Sequence, residues 1–201
     1  MEHRRIVFID LLRGWAGLVM IEVHVVNAFV LPEILSAAWF PILNFVNGLV
    51  APSFLFVAGL VFVVVSERKL NEFREYGRVF WKQMGRNTLI GAVGYFLHLP
   101  FFSFSRTLNE TTPESWLKFY QADVLHCIAA GLLVVFVARV TIRRDEVFER
   151  ILWIGAFAMV LMAPFLWDID FNRFVHPFVG AYINGQHFSQ FSLFPWLGFL
   201  F

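Results

Sequence analysis

Cysteine is nearly absent from this chain and charge is scarce. Its one cysteine in 201 residues, Cys127, excludes an internal disulfide and any cysteine-built metal cluster. Asp, Glu, Lys and Arg together make up only 15%, well below the roughly one quarter usual in soluble domains. There is no low-complexity linker and no internal repeat. With a net charge of +1 and no separate basic domain, nothing in the chain invites a nucleic acid partner. The first apolar run is too long for a cleavable leader and lacks a small-residue cleavage site. What the chain has in excess is apolar surface: 59% hydrophobic residues, 18% aromatic, with 26 Phe and 7 Trp. At a mean hydropathy of +0.67, this is the composition of an integral membrane protein whose outer face meets lipid.

About 20 apolar residues cross the hydrocarbon core of a bilayer. Five full runs of that kind occur, at about 6–31, 41–66, 84–104, 122–142 and 150–167. A sixth starts near Phe191 and reaches only Phe201. Each span must be helical, because lipid offers no partner to an open backbone. The expected architecture is therefore all-α: a polytopic transmembrane bundle of five full spans plus a truncated sixth. It forms a single domain over residues 1–201, expected to be the N-terminal part of a longer protein. Basic residues sort by loop. Arg4, Arg5, Arg68, Lys69, Arg74, Arg78, Lys82, Arg86, Arg139, Arg143, Arg144 and Arg150 fall on one side, against Arg106, Lys118 and Arg173 on the other. The positive-inside rule then puts the N-terminus in the cytoplasm.

Ionisable groups inside a span cost several kcal/mol unless paired or wet, which makes them functional candidates. On the first span Asp10, Arg13, Gly17 and His24 share one helical face, with Glu22 nearly opposite. Asp10 and Arg13 are three residues apart and close enough to pair. Two readings stand: an ion pair that lets a polar helix end sit at the interface, and contact with a ligand. His24 lies about 21 Å further along the axis than Asp10 at 1.5 Å per residue. Its imidazole suits it to take and return a proton, though a lone helical histidine is commonly a hydrogen-bonded core residue. His98 and His126 fall in the same outer half, and Asp123 precedes His126 by three residues, so the two face the same way. A carboxylate there could fix the histidine tautomer. No His-x₃-His or comparable ligand spacing occurs, so no metal is expected.

In the second span Pro52 removes an amide and frees carbonyls near mid-membrane. Asn44, Asn47, Gly48 and Ser53 offer small or polar surface for helix packing or for a polar cavity. Arg74, Arg78, Lys82 and Arg86, spaced four apart, make a basic stripe that suits lipid headgroups or an anionic phosphate-bearing donor. His176, His187, Asp168, Asp170 and Arg173 sit in a long outer loop where a polar acceptor could bind.

Arg5, Ile6, Asp10 to Gly14, Met20 and His24 form the pattern Arg-Ile…Asp-Leu-Leu-Arg-Gly…Met-x₃-His. Ala51 to Gly59 reads Ala-Pro-Ser-Phe-Leu-Phe-Val-Ala-Gly, Val124 to His126 reads Val-Leu-His, and Phe194 to Gly198 reads Phe-Pro-Trp-Leu-Gly. These stretches, in this order, resemble bacterial members of the heparan-alpha-glucosaminide N-acetyltransferase catalytic-domain family, relatives of the family 3 acyltransferases. The resemblance runs nearly end to end. It implies an acetyl-CoA-dependent acyltransferase in the bacterial cytoplasmic (inner) membrane, passing acetyl from cytoplasmic acetyl-CoA to an amino or hydroxyl group of a sugar or glycan outside. Acetyl-CoA, membrane lipids and a carbohydrate acceptor are the partners it implies, and it leaves a homo-oligomer open. In animal lysosomal members the catalytic histidine stands three residues before a tryptophan. Here Ser36 stands three before Trp39, so either His24 takes the role, as the first-helix histidine of bacterial relatives suggests, or the chemistry differs. On the first view His24, Asp123 and His126 carry the chemistry, and Asp10, Arg13, Arg78 and Lys82 meet the donor. The alternative is a transporter or flippase for a glycan or lipid, since charged intramembrane groups and a Pro-broken helix also mark transport paths.

Overall fold

The computed structural model describes residues 7–201; His3, Arg4, Arg5 and Ile6 lie outside the described residues. The order is α1 (Val7–Phe29), α2 (Pro32–Leu35), α3 (Phe40–Gly48), α4 (Val50–Glu67), α5 (Leu70–Arg74) and α6 (Arg78–Leu97). Then come α7 (Phe104–Glu110), α8 (Pro113–Tyr120), α9 (Val124–Thr141), α10 (Asp145–Trp167), α11 (Pro177–Ile183) and α12 (Leu193–Trp196). No strand occurs among the described residues.

Among the described residues three stretches are long and apolar enough to cross a membrane: Phe40–Glu67, Val124–Thr141 and Asp145–Trp167. The chain is an all-helical membrane protein. Two more helices have comparable length but carry charge, α1 with Asp10, Arg13 and Glu22, and α6 with Arg78, Lys82 and Arg86. The five runs read from the sequence thus correspond to five long rods, with edges that local chemistry moves. The third starts earlier and ends at Leu97, because Pro100 and a 3₁₀ turn over Pro100–Phe102 close it. The fifth begins at Asp145, whose carboxylate with that of Glu146 suits the positive end of the helix dipole. The Phe191–Phe201 stretch, expected to open a sixth span, is not one continuous helix within the described residues. It forms α12 and a 3₁₀ turn over Leu197–Phe199, wedged against α4, α9 and α10. Close approach makes this possible: a Cβ on Gly131 would meet Leu197 Cδ1 at 2.5 Å, and one on Gly59 would collide with the Leu200 carbonyl.

Burial is inverted relative to a soluble bundle. Phe8, Leu11, Leu18, Ile21 and Phe29 on α1 are exposed, as are Trp153, Phe157, Leu161 and Phe165 on α10. Lipid replaces the core as their apolar environment. The protein interior collects instead around α9, which α4 and α6 flank, with α1 packed on α4. Between α3 and α4 the rod bends at Leu49. Pro52 cannot donate to Gly48, and the Leu49 carbonyl accepts both the Ser53 amide (3.1 Å) and its hydroxyl (2.7 Å).

One end of the bundle is basic and tightly tied. Phe136 of α9 meets Phe73 of α5 edge-on at 5.1 Å and stacks on Phe80 of α6 at 5.2 Å. Arg74 donates to the carbonyls of Val140 (3.4 Å), Arg139 (3.4 Å) and Ile142 (3.0 Å), groups that the end of α9 leaves unpaired. Arg74 therefore closes a helix rather than joining a free basic stripe. Nearby, buried Arg139 reaches Glu67 with a 2.9 Å bond and Asp145 at 2.9 Å, with Phe148 beneath its guanidinium at 4.9 Å.

Candidate active site

At the opposite end, antiparallel packing brings the finish of α6 beside the start of α9. His98 is the C-cap of α6 and Asp123 the N-cap of α9. A carboxylate at a helix N-terminus and an imidazole at a C-terminus both suit the helix dipoles. Asp123 Oδ1 accepts the Val124 amide at 2.6 Å, while Oδ2 lies 3.7 Å from His98 Nε2. His98 Nδ1 is buried without a hydrogen-bond partner among the described residues.

His126 takes the third helical position of α9, and its Nδ1 accepts the Asp123 backbone amide at 3.1 Å. The spacing suggested that the Asp123 carboxylate orients this ring. The backbone amide does so instead, as half of a capping box. In the neutral ring the proton must then sit on Nε2, which is buried and unpartnered among the described residues. His126 is fully buried, stacked on His98 at 5.6 Å and packed on Tyr95 at 4.1 Å.

A cavity of about 390 Å³ opens beside these groups. His24 of α1, Asn47 of α3, His98, Gln121, Asp123 and Trp196 line it. His24 is exposed and makes no hydrogen bond or ion pair among the described residues. Asn47 Oδ1 is buried there and unpaired among the same residues. The structure thus joins His24 and Asp123, two of the three expected catalytic groups, and places His126 one layer behind them. His98, Asn47, Gln121 and Trp196 were not singled out as site residues by sequence reasoning. His98 carried a signal in its position at the end of a span, Asn47 as polar surface beside Pro52, and Trp196 as part of a family motif, whereas Gln121 carried none.

A second cavity, of about 430 Å³, lies toward the basic end. Arg13, Ser66, Lys69, Gln83 and Arg86 supply its polar lining, and Phe54, Val57 and Leu132 are among its apolar walls. Arg78 and Lys82 are exposed on the first turns of α6 and line neither cavity; Asp10 is likewise exposed on the first turn of α1. Among the described residues Asp10 and Arg13 do not form an ion pair. Instead Arg13 turns toward the cavity. Both cavities run along α1, α4 and α9. Arg13 and His24, eleven residues apart on α1, sit about 16 Å apart along its axis.

His176 and His187 have local tasks. His176 Nδ1 accepts the Phe178 amide at 3.2 Å and caps α11. His187 Nε2 lies 2.8 Å from Asp170 Oδ1, and that bond leads the contacts holding the Asp170 carboxyl below its ordinary range. Ser36 is exposed and donates to the Glu33 carbonyl at 2.8 Å, away from both cavities. Among the described residues no group of three or more His, Cys, Asp or Glu comes together to hold a metal ion.

Comparison with curated proteins and with solved structures returns no match. A family model does match, described as heparan-alpha-glucosaminide N-acetyltransferase, catalytic, and it covers residues 5–201. With nearly the whole length matched, the chain belongs to the heparan-alpha-glucosaminide N-acetyltransferase catalytic family, a family of membrane acetyltransferases.

Proposed function

We propose that this protein takes acetyl from acetyl-CoA at the basic end of the bundle and delivers it to an amino or hydroxyl group of a sugar at the histidine end. The observation that carries this reading is the pair of cavities along α1, α4 and α9, one lined by three cations and the other by two histidines and an aspartate. The positive-inside rule favours a cytoplasmic basic end, with all five long helices spanning a membrane such as the bacterial inner membrane.

Arg13, Lys69 and Arg86 fit the phosphates of a CoA donor, since guanidinium and ammonium groups bind phosphate by charge-assisted hydrogen bonds. The apolar walls beside them suit its long, largely uncharged arm. Arg78 and Lys82, two turns and one turn before Arg86 on α6, extend the positive field at the mouth, and Asp10 stands one turn before Arg13 on α1. His24 lies where an arm laid along α1 ends. Its exposed, unpaired ring is free to attack the thioester carbonyl: the C–S bond breaks, a C–N bond to the ring forms, and the ring's proton leaves with the CoA thiol. Asp123 supplies negative charge opposite. His126, fixed by the capping box, holds the wall in place.

The test uses the protein in nanodiscs with radiolabelled acetyl-CoA and no acceptor. CoA release with stoichiometric label on the protein, lost in His24→Ala, is the expected result. Neither binding nor release in the wild type would overturn acetyl transfer and turn attention to transport of a glycan or lipid.

A further inference from the structure

We propose that His98, with the Asp123 carboxylate beside its Nε2, is the base that takes the proton from the acceptor, while His24 handles only the acetyl group. The proposal rests on the acetyl-transfer reading above and divides its chemistry between two rings. Both histidines line the same cavity, yet their surroundings differ. His24 stands on the helix that also carries Arg13, the donor side, and has no carboxylate partner among the described residues. His98 stands across the cavity at the end of α6, with Asp123 at 3.7 Å. That separation is too long for a hydrogen bond but sets the carboxylate's charge directly beside the ring. Titratable groups in contrasting environments are how one site separates its acid and base tasks.

Geometry also says which nitrogen works. His98 Nδ1 is buried, leaving Nε2 as the atom that exchanges a proton with the cavity. His126 stacks behind it at 5.6 Å and fixes the ring plane. The acceptor's entrance is on this side. Gln190 and Trp196 line both this cavity and a neighbouring pocket bounded by Trp167, Gln186 and Ser189. Aromatic faces beside amides and hydroxyls suit a sugar ring.

The step balances. The acceptor nitrogen or oxygen attacks the acetyl carbonyl on His24, and His98 Nε2 takes its proton. The C–N bond to His24 breaks, the acetylated acceptor leaves, and His98 returns the proton to His24. Both rings end as they began.

The experiment separates the half-reactions in nanodiscs, with glucosamine as the acceptor probe. His98→Ala and His98→Gln are expected to keep acceptor-free labelling and to lose transfer from label to glucosamine by at least about a hundredfold. Added imidazole restores transfer in His98→Ala, which a merely structural loss would not allow. Transfer within threefold of wild type in both variants overturns the proposal while leaving acetyl transfer intact. So does loss of labelling along with transfer in both, or wild-type turnover without any label. Absence of both label and CoA release in the wild type sinks the acetyl-transfer reading itself.

Discussion

A single glycine holds the histidine end together. A Cβ on Gly94 would lie 2.7 Å from His126 Cε1 and 2.8 Å from Nε2. His126 cannot retreat, because its other face meets Tyr95 and its Nδ1 is held by the capping box. Gly94→Ala is therefore expected to cost about 1–3 kcal/mol through overpacking. It should also tilt His98 through the stack, slowing acetyl transfer. Gly14→Ala is the control, as nothing described lies within 4 Å of its Cβ. Thermal unfolding in nanodiscs should show a lower midpoint for the first variant and an unchanged or raised one for the second. That Asp123 and His126 meet was legible in the sequence, but not how, because a three-residue spacing cannot tell a side-chain partner from a backbone amide.

At the scale of elements, the join of α4, α9 and α10 depends on one cation. Arg139 is buried while Glu67 is partly and Asp145 largely exposed, so the two acids compensate a guanidinium withdrawn from water. Removing the partners of a buried charge is more damaging than their surface positions suggest. The double variant Glu67→Gln with Asp145→Asn should destabilise the bundle by about 3–5 kcal/mol, measured by denaturant unfolding in lipid. Either single change should cost clearly less, since one carboxylate remains. Equal losses in single and double variants would show that Arg139 needs both partners at once. The rods themselves could be read from apolar runs. Their ends could not, because Pro100, the acids opening α10 and Arg74 at the end of α9 act locally or across long sequence separations.

Across the whole molecule, the basic and histidine ends lie at opposite ends of the same rods, so sidedness decides which compartment supplies the donor. Cys127 is buried, which keeps its background labelling low. Lys69→Cys and Lys118→Cys, examined singly with a membrane-impermeant maleimide in sealed right-side-out vesicles, give the orientation. Position 118 should label at once and position 69 only after permeabilisation. The reverse order would place the basic cavity outside and remove acetyl-CoA's access to it.

Composition determined that this chain lives in a membrane, and apolar runs of about 20 residues determined that its spans are helices, because each run must satisfy its own backbone in lipid. The same sequence marked Arg13 and His24 as groups that need a reason to be there. Only tertiary structure decided what surrounds them. Lys69 and Arg86 join Arg13 because α4, α5 and α6 fold back on one end, and His98 and Asp123 face His24 because α6 ends where α9 begins. Helical periodicity fixes which residues share a face of one rod, but it carries no information about which rod stands opposite. That is set by the packing of Phe136, Gly94 and Gly131 against their neighbours.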